Sequence, residues 1–350
     1  MACRFPSGTG TIDKGDSMRF NKRVAVLVAV FALFAAPTAA IAFNGGFAGP
    51  VFGIATAPNG DILVADAGAG IADADGTVDI PLPGVTSIAP IGRSSLWVTR
   101  SGEEAEEDSG QALLRVSQGR QEQVVNLFQF EEDNDPDGAG VDSNPYDVAS
   151  LGGGAALVID AGGNDLLHVD RRGNVDVVFV FPDELVSTAN IKDLAGCPAG
   201  PPFICDDLPG MIPAQAVPTS VALGTDGYAY VGELKGFPAP TDESNIWQCD
   251  DDDCMELFDG GFTSIIDLAF GPDGLLYVAE FDEASWAAVE IFGAGDGGTI
   301  NACDVDTLVC DEVATGINQL TGITFGKDGT LYATQNALTP AAEVIEVPLP

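Results

Sequence analysis

The chain has 350 residues, 46% of them hydrophobic and 19% charged, with 53 acidic side chains against 14 basic ones and a formal net charge of −39. Neutralising phosphate takes lysine and arginine, so this balance excludes nucleic acid as a partner and disfavours an anionic membrane surface. So much like-sign charge keeps a chain soluble but strains its folded state, and salt or bound divalent cations relieve that strain.

Residues 1–17 carry no periodicity and read as an upstream extension, with translation starting at Met18. Arg19, Lys22 and Arg23 then precede an apolar run, Val24–Ala36, and Ala40-Ile41-Ala42 offers a small-residue cleavage site before Phe43. A basic start, a short apolar run and an A-x-A end describe a secretory signal peptide over 18–42, too short to span a membrane. The protein is therefore expected outside the cytoplasm, secreted or periplasmic, with no membrane span. Two acidic residues (Asp13, Asp16) and five basic ones (Arg4, Lys14, Arg19, Lys22, Arg23) lie before Phe43, leaving 51 acidic and 9 basic side chains and a net charge of −42 over residues 43–350.

From Gly53 a fourteen-residue pattern recurs. Its best-formed copy is Asp267–Glu280, DLAFGPDGLLYVAE, in which two apolar runs flank a Gly-Pro-Asp-Gly turn. Proline presets φ, aspartate bonds back to the backbone and glycine accepts φ > 0, so each copy predicts a β-hairpin. Gly53–Asp66, Ser87–Arg100, Asp147–Asp160, Ser220–Glu233 and Gly322–Gln335 align with it without gaps, and glycine holds the eighth position at 60, 154, 227, 274 and 329. Such self-similarity signals a repeat architecture.

Between hairpins the chain has room for a second pair of strands, for instance Ala112–Val116 with Gln123–Phe130, or Asp165–Val169 with Val175–Phe181. Hairpin plus hairpin makes a four-stranded antiparallel sheet, and six such sheets predict an all-β six-bladed β-propeller. The blades fall near 53–86, 87–146, 147–219, 220–266, 267–321 and 322–350. The last unit has room for three strands, Ile323–Phe325, Leu331–Thr334 and Glu343–Val347. Residues just after Phe43 are therefore expected to add a fourth and close the ring, removing open edges. Irregular loops are expected at 102–110, 131–143, 183–215 and 238–244, and the molecule is expected to be a monomer.

Six cysteines remain after Phe43, in three close pairs: Cys197/Cys205, Cys249/Cys254 and Cys303/Cys310. An even number in an exported chain favours disulfides, and of the 15 connectivities open to six cysteines the local pairing is the obvious one. Zinc is the weaker rival, for want of a C-x2-C spacing and with His168 the one histidine.

In a propeller blade the start of the first strand and the end of the second meet at one face. The fourteenth template position reads Asp66, Arg100, Asp160, Glu233, Glu280 and Gln335, and the first contributes Asp147 and Asp267. Six carboxylates, Asp66, Asp147, Asp160, Glu233, Asp267 and Glu280, are thus expected towards one mouth of the channel, where they either hold a divalent cation, calcium before magnesium, or serve as hydrogen-bonded strand ends. Asp133, Asp135 and Asp137, in a D-x-D-x-D-G run, resemble the front of an EF-hand loop and form a second candidate. Asn144 stands where the bidentate glutamate belongs and no flanking helices are expected, which leaves a looser calcium loop. The Cys249–Cys254 segment holds a third acid cluster, expected to be an exposed clipped turn. No G-x-S-x-G elbow or P-loop lysine occurs, and His168 falls in an outer strand, so no catalytic residue is assigned and the sequence leans away from an enzyme. Phe237, Trp247 and Trp286 fit a ligand face or blade packing equally well.

Asn144–Ala149 (NPYDVA), Asp160–Leu167 (DAGGNDLL), Val217–Gly227 (VPTSVALGTDG) and above all Tyr230–Pro238 (YVGELKGFP) resemble the ScyD/ScyE family. The resemblance covers most of 43–350, most specifically about 128–240, whereas the DG-x-LYVAE hairpins are shared with many NHL-like propellers. It implies an exported six-bladed propeller; rigid blades with variable face loops then favour a binding or scaffold module, with a protein or small-molecule ligand at one face. The namesakes sit in gene clusters for the pigment scytonemin, so an accessory role in extracytoplasmic secondary metabolism is a further implication. A metal-dependent lactonase or esterase-like hydrolase is the architectural alternative. Its asparagine and aspartate ligands precede the first strand, where this chain has Phe52, Thr86, Tyr146, Thr219, Ile266 and Thr321.

Overall fold

A computed structural model of the chain describes residues 46–102, 105–251 and 253–349. The expected upstream extension, signal peptide and residues 43–45 lie outside them. The described chain is a six-bladed β-propeller. Blade 1 comprises β1 (Val51–Thr56), β2 (Ile62–Asp66), β3 (Gly70–Asp73) and β4 (Val78–Pro81), and blade 2 comprises β5 (Val85–Ile91), β6 (Ser95–Arg100), β7 (Ala112–Ser117) and β8 (Arg120–Asn126). Blade 3 is built from β9 (Pro145–Ser150), β10 (Ala156–Asp160), β11 (Asp165–Val169) and β12 (Val175–Val180). A two-stranded excursion, β13 (Glu184–Ser187) with β14 (Met211–Ala214), follows. Blade 4 holds β15 (Pro218–Leu223), β16 (Ala229–Glu233), β17 (Ser244–Cys249) and β18 (Cys254–Phe262); blade 5 holds β19 (Ile265–Phe270), β20 (Leu276–Glu280), β21 (Gly298–Asp304) and β22 (Val309–Ile317). Blade 6 has three strands among the described residues, β23 (Ile323–Phe325), β24 (Leu331–Gln335) and β25 (Glu343–Val347).

The repeated turn explains the repeated hairpin. Gly60, Gly227, Gly274 and Gly329 have φ of 101°, 96°, 88° and 87°, values strained for any side chain. In the corresponding turns Asp226, Asp273 and Asp328 accept from the backbone N–H two residues on, at 3.1 Å each. Second strands such as β10, β16 and β20 are buried along their whole length, while outer β4 and β8 are largely exposed. The apolar core accordingly sits between blades, as where Ile71 and Leu82 of blade 1 pack with Val85 and Val98 of blade 2.

One expectation is corrected. The run Gln123–Phe130 is not one strand: β8 ends at Asn126, whose side chain caps a helix, α1 (Leu127–Asn134), by accepting from Gln129 N at 3.0 Å. Leu127, Phe128 and Glu131 form its buried face. Of the residues expected to add a strand to blade 6, those just after Phe43 lie outside the described ones, and 46–50 form no strand there. The seam between blades 6 and 1 is tied instead by Val51 N donating to Ala337 O at 3.0 Å and by Phe47 packing with Ala337 and Ala342. Within the excursion lie α2 (Ala189–Leu194) and α3 (Pro202–Cys205), and α4 (Trp286–Glu290) interrupts blade 5. The three disulfides Cys197–Cys205, Cys249–Cys254 and Cys303–Cys310 form as the local pairing predicts.

Candidate functional site

The innermost strands enclose an axial cavity of about 370 Å³. The residues just before each template copy close one end of it in an alternating pattern. In blades 1, 3 and 5 they are Phe52, Tyr146 and Ile266, buried together, with the Phe52 and Tyr146 rings edge to face at 6.0 Å across the axis. In blades 2, 4 and 6 they are threonines that donate to the next blade: Thr86 Oγ1 to Pro145 O, Thr219 Oγ1 to Ile265 O and Thr321 Oγ1 to Val51 O, each at 2.7 Å. The inner strands diverge too far for a shared ladder, and these hydroxyls bridge them.

Asp147 and Asp267 line the cavity. Asp147 accepts from Ser87 Oγ of blade 2 at 2.5 Å, its neighbour Val148 N at 2.7 Å and Val221 N of blade 4 at 2.7 Å. Asp267 accepts from Leu268 N at 2.8 Å and Ile323 N of blade 6 at 2.7 Å. Burial pushes both carboxyls above the usual range, and the Asp147 charge pushes Asp267 further. These two acids therefore span three blades and two blades respectively.

The other four expected carboxylates end the second strands, but their side chains are engaged by nearby loops and strands. Asp66 accepts from Ala48 N and Gly68 N at 2.6 and 2.9 Å. Asp160 accepts from Ser143 Oγ and Asn144 N, both at 2.6 Å. Glu280 takes Thr263 N at 2.5 Å and Asn301 Nδ2 at 2.7 Å, and burial pushes it up to about 7. Glu233 accepts from Trp247 Nε1 and contacts Lys235 Nζ, both at 2.6 Å, and Lys235 also bonds Glu184 at 2.6 Å. Burial pushes Glu233 up to about 7, yet the two acids outweigh burial at Lys235 and hold it charged, so the geometry supports an ionised lysine shared between them.

Among the described residues, one group of three acids is close enough to hold a metal ion: Glu131, Asp135 and Asp137, each offering an oxygen within 4.8 Å of the others. It stands at the junction of blades 2 and 3. Glu131 lies on the buried face of α1, and Asp135 is that helix's C-cap, left-handed at φ 41°, its N–H bonded to Glu131 O. Asp137 is fixed by Ala139 N at 2.8 Å and Asn164 Nδ2 at 3.0 Å. Two of the three loop acids expected from sequence are thus brought together, while Asp133 is exposed and its place is taken by Glu131. The expectation that no helix flanks this loop is corrected by α1.

More acid surrounds this group. Asp165 begins β11 directly opposite Asp160, and the two are 1% and 2% exposed. Buried like charges facing each other across a hairpin are unfavourable without a compensating partner. Asp160 has its loop donors, but both Asp165 oxygens, Glu131 Oε1 and Asp142 Oδ1 are buried with no hydrogen-bond partner. Burial, then the neighbouring acids with Asp160 first, pushes Glu131 up to about 8, Asp142 to about 6 and Asp165 well above the ordinary range. The Gly162-Gly163 turn makes room for them. A Cβ at Gly163 would lie 3.2 Å from Glu131 Oε2 and 3.6 Å from Asp165 Oδ2, and one at Gly162 would lie 2.6 Å from Asp142 Oδ1.

The remaining candidates lie elsewhere. His168 is half-exposed on β11, 4.0 Å from Asp176. Trp247 packs on Phe179 and Phe181, and Trp286 donates to Lys235 O at 3.0 Å. Arg100 donates to Gly110 O at 2.7 Å. No helix among the described residues is long and apolar enough to cross a membrane.

No family model matches this chain, and no curated protein matches it in sequence. Solved structures do. A gluconolactonase from Xanthomonas campestris is similar with a TM-score of 0.54 at 14% identity, over 88% of this chain and 89% of its own. A virginiamycin B lyase from Staphylococcus aureus is similar with a TM-score of 0.50 at 15% identity, over 88% of this chain and 87% of its own. At such identities the shared property is the propeller fold.

Proposed function

We propose that this protein is an exported propeller of ScyD/ScyE type that works as a binding or scaffold module. The observation that carries the reading is the state of the axis. The positions at which a lactonase-type propeller presents metal ligands hold Phe52, Thr86, Tyr146, Thr219, Ile266 and Thr321, buried and engaged in closing the channel or bridging blades. The channel acids are committed to backbone N–H groups of neighbouring blades. Recognition then falls to loops on a rigid frame, of which the excursion at 183–215, stapled by Cys197–Cys205, is the largest. A divalent cation belongs to this reading as a structural partner.

A second reading is favoured by the Asp147–Asp267 pair. Two acids in one cavity, both pushed towards the protonated form, are a candidate general acid and base for hydrolysis or elimination, and the structural neighbours include a lactonase and a lyase. Incubating residues 43–350 with sugar lactones and aryl esters, with and without Ca²⁺ or Mn²⁺, separates the two. The binding-module reading expects no turnover above buffer. Turnover lost in Asp267→Asn, with the fold retained, would replace it with the hydrolase.

A further inference from the structure

We infer that Glu131, Asp135 and Asp137, with the buried Asp165 beside them, form a calcium site that locks helix α1 and its following loop onto the middle hairpin of blade 3. The inference rests on the exported reading only for the supply of calcium outside the cytoplasm. Three observations of different kinds converge on it. One oxygen from each of Glu131, Asp135 and Asp137 can meet at a single point. Glu131 and Asp165, 2% and 1% exposed, bury three oxygens that no protein donor satisfies. A carboxylate oxygen buried without a donor is costly, and a cation supplies the missing partner. Finally, the Gly162-Gly163 turn keeps the space between Glu131 and Asp165 clear of side chains.

The supporting shell has the form a metal site requires. Asn164, left-handed at φ 51°, donates through Nδ2 to Asp137 and to Gly162 O, and accepts Val217 N through Oδ1, so it holds the Asp137 loop to the blade 3–4 connection. Gly140 N donates to Asp135 Oδ1 and Ala139 N to Asp137 Oδ1, so the loop backbone holds both acids in place. All candidate ligands are oxygens drawn from a helix, an irregular loop and a strand. That set suits calcium, which takes several carboxylates in irregular geometry, better than magnesium, which demands a tight octahedron and retains its waters. Four carboxylates also exceed the charge of one divalent ion, and their mutual repulsion opposes a compact junction whenever the ion is absent.

The test uses residues 43–350, stripped with EDTA and held in 0.15 M salt so that diffuse binding to the acidic surface is screened. Calcium titrated by calorimetry, with melting followed in parallel, is expected to show one dominant site and a calcium-dependent rise in melting temperature. Glu131→Gln and Asp165→Asn keep shape and remove one buried charge each. Both are expected to weaken calcium binding at least about tenfold, while melting in EDTA stays the same or rises. A merely structural role for either acid predicts the opposite, a lower melting temperature in EDTA. Asp133→Asn, at the exposed neighbour, is expected to change affinity less than about twofold, in line with screened surface charges. Absence of calcium binding, an affinity unchanged from the wild type in Glu131→Gln and Asp165→Asn, or tighter binding of magnesium would overturn the site. Failure of export in cell fractionation would instead remove the exported reading and leave the binding result standing.

Discussion

Replacing Thr321 by valine probes how the ring is closed. The hydroxyl of Thr321, 3% exposed, donates to Val51 O at 2.7 Å across 270 residues of sequence and lies 2.9 Å from Thr334 Oγ1. Valine keeps the volume and the β-branch and removes only these contacts, leaving the Val51 carbonyl short of a partner in a buried seam. A buried polar group so deprived costs about 1–3 kcal/mol. At about 2 °C per kcal/mol, the low end for large domains, the melting temperature should fall by about 2–6 °C. Thr86 and Thr219 hold the equivalent bridges to Pro145 O and Ile265 O at the same 2.7 Å. Their valine variants should cost the same within about 1 kcal/mol, because sequence separation enters the unfolded state only as a slow logarithm and the local geometry is shared. Urea unfolding and thermal melting of the three variants provide the measurement. If Thr321→Val costs under about 0.5 kcal/mol, the floor for a net hydrogen bond, while the other two cost more, the seam between blades 6 and 1 is not closed through Thr321.

Stability should also depend on pH in an unusual direction. Burial pushes Glu290 up to about 8 and Glu280 up to about 7 from an ordinary 4.5. The folded state therefore binds more protons than the unfolded state between pH 4.5 and 8, so stability is fully present below 4.5 and is lost as pH rises through 7–8. In EDTA, melting temperature should fall from pH 5 to pH 8, and Glu290→Gln should flatten that fall; a flat or rising wild-type profile would contradict the assignment. Each local disulfide closes a loop with a sequence separation of 5, 7 or 8 residues. Replacing any one pair by serine should cost about 2–3 kcal/mol, read from the urea midpoint at unchanged slope, and a loss above about 5 kcal/mol would show that the pair does more than close its loop.

The blades were legible in sequence because their turns are chemically explicit. Gly274 and its copies announce φ > 0, Asp273 and its copies announce the bond back to the backbone, and the intervals announce four strands. The cysteine pairing was legible for a similar reason, since each pair lies within ten residues. Helix α1 was misread because LFQF has the composition of a strand, and its true signal was the Asn126 cap followed three residues later by Gln129. That misreading hid Glu131. Read as a helix, the segment places Glu131 and Asp135 one turn apart, on the same side. Asp165 also left a trace, since a DAGGND turn sets two acids opposite each other in any hairpin register that pairs its ends.

The fate of the six strand-end acids was another matter. Sequence put Asp66, Asp147, Asp160, Glu233, Asp267 and Glu280 towards one mouth of the channel. Only the packing of blade against blade decided that Asp147 and Asp267 turn to the axis and reach the next blades, while the other four are engaged by nearby loops and strands. A repeat pattern determines the backbone of each unit, because turn chemistry and strand periodicity act over a few residues. It cannot determine which donors stand opposite a side chain, because Val221 N and Ile323 N come from other units, 74 and 56 residues away. The same holds for the acidic junction. Its members arrive from α1, its loop and β11, and only the closing of blade 2 on blade 3 makes them neighbours.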